Sequence, residues 1–348
     1  IQAGTGNITL HQTSDDAVIA TFDVTADISL LTTAVTNDTV AFTPGSALAT
    51  DTEYYVLIPA GALQDTATTP NDFAGITATT AWSFTTTPLT IGGVCGDGAT
   101  NIGLVQGTGL ASSFIGEPVT IEGIVVGDYQ DTGGAATGPD GDLNGFFVQE
   151  EDSDADGDPL TSDAVFIYEG SAPATDYVVG DRVRITGTVD EFGNQTQILP
   201  TEILNCASGV PLPTATTVTL PLASGDDFER YEGMLVQFTD TLVVTELFQL
   251  GRFGTLRLSY DGAGPNGRLA QFTQLNAPDV AGYAAALADN ATRSFILDNG
   301  VVDTSFGENP DPIANPPNPA LTAANTVRGG DTITNLTGIF MEWNASPV

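Results

Sequence analysis

Apolar and polar residues alternate along most of the chain in short runs, the pattern of β-strands that bury one face and expose the other. Val183 and Ile185, for example, alternate with Arg182 and Arg184. Gly, Pro, Asn and Asp separate the runs, and these residues favour turns. The pattern predicts an all-β protein, with residues 281–293 as its one helix.

The strand-like runs fall into three groups, which predict three domains. Residues 1–88 have the alternation and turn spacing of a β-sandwich. Residues 89–209 contain five runs, the number of strands in an OB-like barrel. Residues 210–348 repeat this group in outline, because GDRVRITGTV at 180–189 recurs as GDTITNLTGIF at 330–340. We therefore expect a sandwich followed by two tandem OB-like β-barrel modules, the second incomplete at its C-terminus.

The charge of the chain is strongly one-sided. It has 44 acidic residues and eight basic ones, all arginine, for a net charge of −36. Such a surface repels phosphate backbones, so direct binding of nucleic acid is not expected. It suits an extracellular or cell-surface protein in which cations screen the self-repulsion. No stretch has the roughly 18 apolar residues of a membrane helix, so we expect no membrane span.

The two cysteines, Cys95 and Cys206, lie far apart and lack the spacing of a metal site. A disulfide is favoured over two free core thiols, because the other features indicate secretion. The bridge would tie the entry of the first barrel to its exit.

An acidic stretch, DSDADGDPLTSD, has the spacing of a calcium loop. Ca²⁺ takes six to eight oxygen ligands, and Gly157 stands where such a loop turns sharply. An Asp instead of the longer Glu at the last position should weaken binding. The alternative is a solvated acidic turn. The predicted Ca²⁺ ligands are Asp152, Asp154, Asp156, Asp158 and Asp163.

Other candidate chemistry is sparse. One set of residues could form a nucleotide-stacking face on an OB-like barrel, although arginines in so acidic a chain usually pair with carboxylates. That set is Arg182, Arg184, Arg252 and Phe253. The chain has one histidine, His11, around which no catalytic set can be built. We therefore expect a protein that is not an enzyme.

Residues 1–88 resemble a known family. The segments GTGNITL, FTPGSALATDTEYYVLIPAGALQD and WSFTTT occur in the order found in bacterial Ig-like domains of surface-layer and adhesive proteins. The first strands of such a domain are missing from the resemblance. It implies an Ig-like sandwich at the cell surface.

Residues 95–348 resemble the non-catalytic OB-like N-terminal region of large secreted bacterial nucleases. The resemblance rests on IEGIVVGDYQ, GFFVQEEDSDADGDP, VGDRVRITGTVDEFGNQTQ, FERYEGMLV and LGRFG. It implies a secreted accessory region without activity of its own, with the catalytic domain further along a longer chain.

Two functions follow from these patterns. The favoured one is a calcium-stabilised structural subunit of a cell surface, matrix or filament. It would self-associate through its chain ends by strand addition, with other surface proteins as further partners. The alternative is the accessory region of a secreted nuclease whose catalytic domain lies beyond Val348.

Overall fold

The computed structural model describes residues 1–26, 29–31, 39–44, 48–49, 51–86, 91–130, 143–170, 175–250, 255–298 and 326–341. The chain divides into two compact units, Ile1–Leu89 and Thr90–Val348. Strands predominate in both units, so the all-β prediction is confirmed.

In the ranges that the structure describes, eight strands lie in the first unit and twelve in the second. The strands of the first unit are β1 (Gln2–Ala3), β2 (Asn7–Gln12), β3 (Val18–Asp23), β4 (Ser29–Leu31), β5 (Thr39–Ala41), β6 (Glu53–Leu57), β7 (Leu63–Gln64) and β8 (Ser83–Thr85). Those of the second unit are β9 (Pro118–Tyr129), β10 (Gly145–Gln149), β11 (Ala164–Tyr168), β12 (Arg182–Phe192), β13 (Gln195–Ala207), β14 (Thr216–Val218), β15 (Leu235–Phe238), β16 (Leu242–Glu246), β17 (Leu256–Ser259), β18 (Ser294–Leu297), β19 (Thr332–Ile333) and β20 (Leu336–Ile339).

Among the described residues, the helices are short and lie in the second unit. They are α1 (Ile102–Gln106), α2 (Phe272–Leu275) and α3 (Val280–Ala291), with 3₁₀ turns at Gly225–Tyr231 and Pro265–Gly267. The sequence predicts α3, whereas α1 and α2 are too short to show a helical period.

The first unit packs a four-stranded sheet, in the order β3-β2-β6-β8, against small two-stranded pairs. Ile8 and Leu10 alternate along β2 and are buried with Tyr54 and Val56 of β6. Ala62 and Leu63, at the pair formed by β1 and β7, join the same core. The strands of residues 1–88 thus pack their apolar faces into one core, as the alternation predicts.

The second unit begins with a closed barrel of five strands, in the order β10-β11-β13-β12-β9. All neighbours are antiparallel except β11 and β13, which pair parallel. The hairpin between β12 and β13 turns at Gly193 and Asn194, whose φ angles of 65° and 69° suit these residue types. This is the five-stranded barrel that the sequence predicts for residues 89–209.

The remaining described strands form two sheets, β14-β15-β20 and β18-β17-β16-β19. Their antiparallel pairs resemble those of the barrel if β15 and β16 take the place of β9, β17 of β10, β18 of β11, and β19 with β20 of β12. The segment that would follow β20 as the counterpart of β13 falls on residues 342–348, which lie outside the described residues. The prediction that this module is incomplete therefore stays a prediction.

The two modules of the second unit share a core. Val126, Phe147 and Phe166 on the outside of the barrel form one cluster with residues of β15 and β20 and Met341. A Cβ atom on Gly127 would lie 2.8 Å from Ile339 Cγ1, so this close approach requires glycine. The tandem modules are therefore packed against each other in one compact unit.

Candidate functional site

A cleft of about 410 Å³ opens at the edge of the five-stranded barrel. One wall is the loop that carries Cys95, and the opposite wall is the start of the acidic loop after β10. The lining residues are Gly96, Asp97, Gly98, Ala99, Thr100, Asn101, Glu122, Gly123, Glu150, Glu151, Asp154 and Arg182. A cleft with converging polar groups is the first place to look for a ligand.

A disulfide anchors the loop wall of the cleft. The structure joins Cys95 to Cys206, with their Cα atoms 5.5 Å apart, as the sequence predicts. Cys206 lies near the end of β13, so the bridge ties the entry of the barrel to its last strand.

Arg184 holds the same loop from beneath. Its guanidinium donates to the carbonyl oxygens of Gly92 and Gly98, both at 2.8 Å, and of Asp97 at 2.9 Å. It also pairs with Glu122 at 3.1 Å. Arg184 is 2% exposed and surrounded by these partners. The prediction that it belongs to an exposed ligand face is therefore wrong. It positions the loop instead.

Arg182 is the other predicted ligand-face residue that the structure describes, and it does line the cleft. Its side chain is 35% exposed and lies 3.7 Å from Glu122 and 3.5 Å from Glu151. Arg252 and Phe253 lie outside the described residues. For the two arginines that the structure describes, carboxylate pairing is observed, and the stacking face with Arg252 and Phe253 stays a prediction.

Glu150 is the residue of the cleft that the sequence does not single out. It is 6% exposed, and its Oε1 accepts the backbone N–H of Ile102, in the first turn of α1, at 2.7 Å. Burial is the main cause that raises the pKa of Glu150 to about 8; the bond from Ile102 N opposes the shift, and the charges of Asp154, Asp163 and Asp156 add to it. In sequence it stands at the head of an acidic run, where a solvated carboxylate is expected.

The acidic loop folds onto the start of α1. Asn101 Nδ2 donates to the carbonyl oxygen of Asp154 at 2.9 Å. A Cβ atom on Gly103 would lie 2.4 Å from Asp156 Oδ2, so a larger residue there would displace that exposed carboxylate. Asp152 instead accepts from Thr214 N at 2.8 Å and from its hydroxyl, and these bonds lower the pKa of Asp152. The loop thus ties the barrel to the connector before β14.

Three of the five predicted calcium ligands contact one another: Asp158 N donates to Asp156 Oδ1 at 2.7 Å, and the backbone of Asp156 hydrogen-bonds the Asp163 carboxylate. Asp158 accepts from Leu160 N at 3.0 Å, and half-buried Asp163 has a buried Oδ1 without a hydrogen-bond partner. Burial raises the pKa of Asp163. Across the described ranges, no three His, Cys, Asp or Glu side chains are grouped so that they could hold a metal ion. Calcium binding stays a prediction.

His11 lies in the first unit, on β2. Its Nε2 is 2.9 Å from the Thr9 hydroxyl, and its ring stacks on Tyr55 with centroids 4.9 Å apart. These contacts give it a structural role on the sheet.

Comparison with known proteins concerns the first unit. Residues 5–86 match the family model of a bacterial Ig-like domain. This confirms the Ig-like resemblance over about the first quarter of the chain. Searches of curated proteins and of solved structures find no significant match, so the resemblance of residues 95–348 to a nuclease region stays a prediction. No helix in the described ranges is long and apolar enough to cross a membrane.

Proposed function

We propose that the chain is a non-catalytic structural module of a bacterial cell surface or extracellular assembly. The Ig-like domain, the disulfide and the lysine-free acidic surface support this proposal. One observation carries it: the barrel face that an OB-like module uses for ligands is covered by the second module.

OB-like barrels bind oligonucleotides and oligosaccharides on the face of their second and third strands. In this chain those strands are β10 and β11. Phe147 is 0% exposed and Phe166 6% exposed, and they pack with Leu235, Ile339 and Met341. A base cannot stack on aromatic rings that are already inside a core. The first barrel is therefore a building element rather than a reader of ligands.

The arginines support the same conclusion. Nucleic-acid binding draws on basic side chains that are free to meet phosphates. Of the seven arginines that the structure describes, five pair with carboxylates of this chain, namely Arg182, Arg184, Arg230, Arg257 and Arg293.

The second candidate is the accessory region of a secreted nuclease. It is favoured by the sequence resemblance of residues 95–348 and by the five-stranded barrel. The two candidates differ in whether this chain contacts nucleic acid.

Oligonucleotide binding separates the candidates. We expect fluorescence anisotropy to show no saturable binding of single- or double-stranded DNA or RNA at low salt, because most of the described arginines are paired with carboxylates and the aromatic face of the barrel is covered. The same samples should show no cleavage with Mg²⁺ or Mn²⁺. Saturable binding that weakens with salt would favour the accessory region instead.

Calcium and self-association complete the structural proposal. Ca²⁺ bound to the loop from Asp152 to Asp163 would raise the melting temperature of the second unit by mass action, and it would screen the acidic flanks. We expect head-to-tail oligomers, joined by strand addition at the chain ends. Light scattering and thermal melts with Ca²⁺ and with chelator measure both effects. Melting curves that are the same with Ca²⁺ and with chelator would contradict calcium binding. A protein that stays monomeric at high concentration in both conditions would contradict the head-to-tail assembly.

A further inference from the structure

The second module lacks, among the described residues, a counterpart of the strand that closes the first barrel. In the first barrel β13 pairs antiparallel with β12 and parallel with β11. In the second module β20 takes the place of β12, and β18 takes that of β11. Within the described ranges β20 pairs with β15 alone and β18 with β17 alone. The side of the module bounded by Ser294–Leu297 and Leu336–Ile339 is therefore an open edge.

A glycine marks the place of the missing strand. The sequence TG in β12 recurs in β20, so that Gly338 stands in the place of Gly187. A Cβ atom on Gly187 would lie 2.5 Å from Leu199 O and 2.9 Å from Pro200 Cα, because β13 passes that glycine closely. On Gly338 the same atom would meet no described atom within 4 Å. The second module thus keeps the small residue that a closely passing strand requires.

The backbone of β20 has hydrogen-bonding groups that face the open edge. Phe340 N donates to Met234 O at 2.9 Å, so the backbone groups of Phe340 lie on the side of β15. These groups alternate in direction along an antiparallel strand. The N–H and C=O groups of Thr337 and Ile339 therefore point to the other side, where no described backbone group bonds them. Such groups are a ready place for another strand to pair.

The open edge also borders a core that is incompletely covered. Phe295 of β18 and Phe340 are buried, with ring centroids 6.2 Å apart, so both sides of the edge face one core. Leu297 and Leu336 pack against this core and are only partly buried. Leu336 stands where the first barrel has Ile185, which is 0% exposed. A strand with an apolar inner face would bury the two leucines further.

The charge of the chain makes this edge a place where two copies can meet. At a net charge of −36, copies repel one another over most of their surface. The strands β18, β19 and β20 read SFIL, TI and LTGI and contain no charged residue. Pairing along these strands therefore adds no carboxylate of the accepting copy to the contact.

We propose that the open edge binds one extended strand of a second copy of this chain, antiparallel to β20 and parallel to β18, as β13 is bound in the first barrel. The bound strand turns apolar side chains to the core and passes Gly338 with its backbone. This inference rests on the proposed self-association and names the surface that accepts the added strand.

Sedimentation velocity of the 348-residue protein over a range of concentrations, with Ca²⁺ and with chelator, tests the proposal. We expect the parent protein to associate as its concentration rises. Gly338→Val should weaken association at least about tenfold, because the new side chain occupies the space through which the strand passes. Thr337→Val, a replacement of nearly the same shape at the next, exposed residue, should associate like the parent. Amide exchange at Thr337 and Ile339 should slow as the parent associates.

Thermal melts at a concentration where the parent is monomeric show whether the edge is free in one copy. Gly338→Val should melt like the parent, whereas Gly187→Val should melt at a lower temperature, because β13 fills the space there. If Gly338→Val lowers the melting temperature as well, a strand of the same copy fills the edge, and the proposal is wrong.

Two further results would overturn the proposal, and they differ in what they leave standing. If Gly338→Val associates like the parent, the copies meet at another surface, and the proposed self-association stands without this edge. If the parent stays monomeric at every concentration, the edge binds no second copy, and the head-to-tail assembly is wrong as well.

Discussion

Replacing Glu150 by glutamine should raise the free energy of unfolding of the second unit by about 2–4 kcal/mol at pH 8. The parent residue is buried, and its pKa in the folded protein is about 8, against 4.5 for the free side chain. Above the folded pKa the native state must hold an ionised carboxylate away from water. Glutamine keeps the bond from Ile102 N and removes that charge.

The pH dependence gives this prediction its sign. Between pH 4.5 and about 8 the folded parent binds a proton at Glu150 that the unfolded chain has lost. Its stability therefore falls as pH rises through this window. The difference between Glu150→Gln and the parent should be close to zero near pH 4.5 and largest above pH 8.

Urea denaturation at a series of pH values, with the disulfide intact, measures this difference. Glu151→Gln is the matched control, because Glu151 is the next residue and its more exposed side chain forms an ion pair with Arg182 at 3.5 Å. We expect that variant to differ from the parent by less than about 1 kcal/mol at every pH. A constant offset for Glu150→Gln across the whole range would contradict the buried, neutral carboxyl.

The sequence predicts the strands of the barrel better than it predicts the cleft. Alternation along β12 and the Gly193–Asn194 turn define that hairpin directly. Glu150 becomes buried because α1 lies over it. That helix has five residues and no detectable period. Arg184 is buried because it binds a loop some ninety residues earlier in the chain. The alternation of apolar and polar residues does not reveal such a long-range contact.

The covered barrel face did leave a signal in the sequence. β10 and β11 read GFFVQ and AVFIY, continuous apolar runs instead of alternating ones. Runs of this kind indicate strands buried on both faces. They show that something covers the barrel, but they cannot show that the cover is the following module.

A cysteine placed on the covered face of β10 and β11 should react with a thiol reagent about a hundredfold more slowly, or slower still, than an exposed one. The reagent can reach it only when the structure opens locally. Phe166 and Tyr168 stand two residues apart on β11 and so point to the same side of the sheet. Phe166 is 6% exposed, inside the shared core, whereas Tyr168 is 39% exposed. The native cysteines are bridged and do not react.

The most direct measurement is therefore the rate at which a thiol reagent labels Phe166→Cys and Tyr168→Cys under native, non-reducing conditions. Each variant is first shown by its thermal transition to be folded. The packing of the second module onto the barrel predicts fast labelling at position 168 and strongly protected labelling at position 166. Equal, fast labelling of both folded variants would show that the face is open, and it would contradict the structural role proposed for this chain.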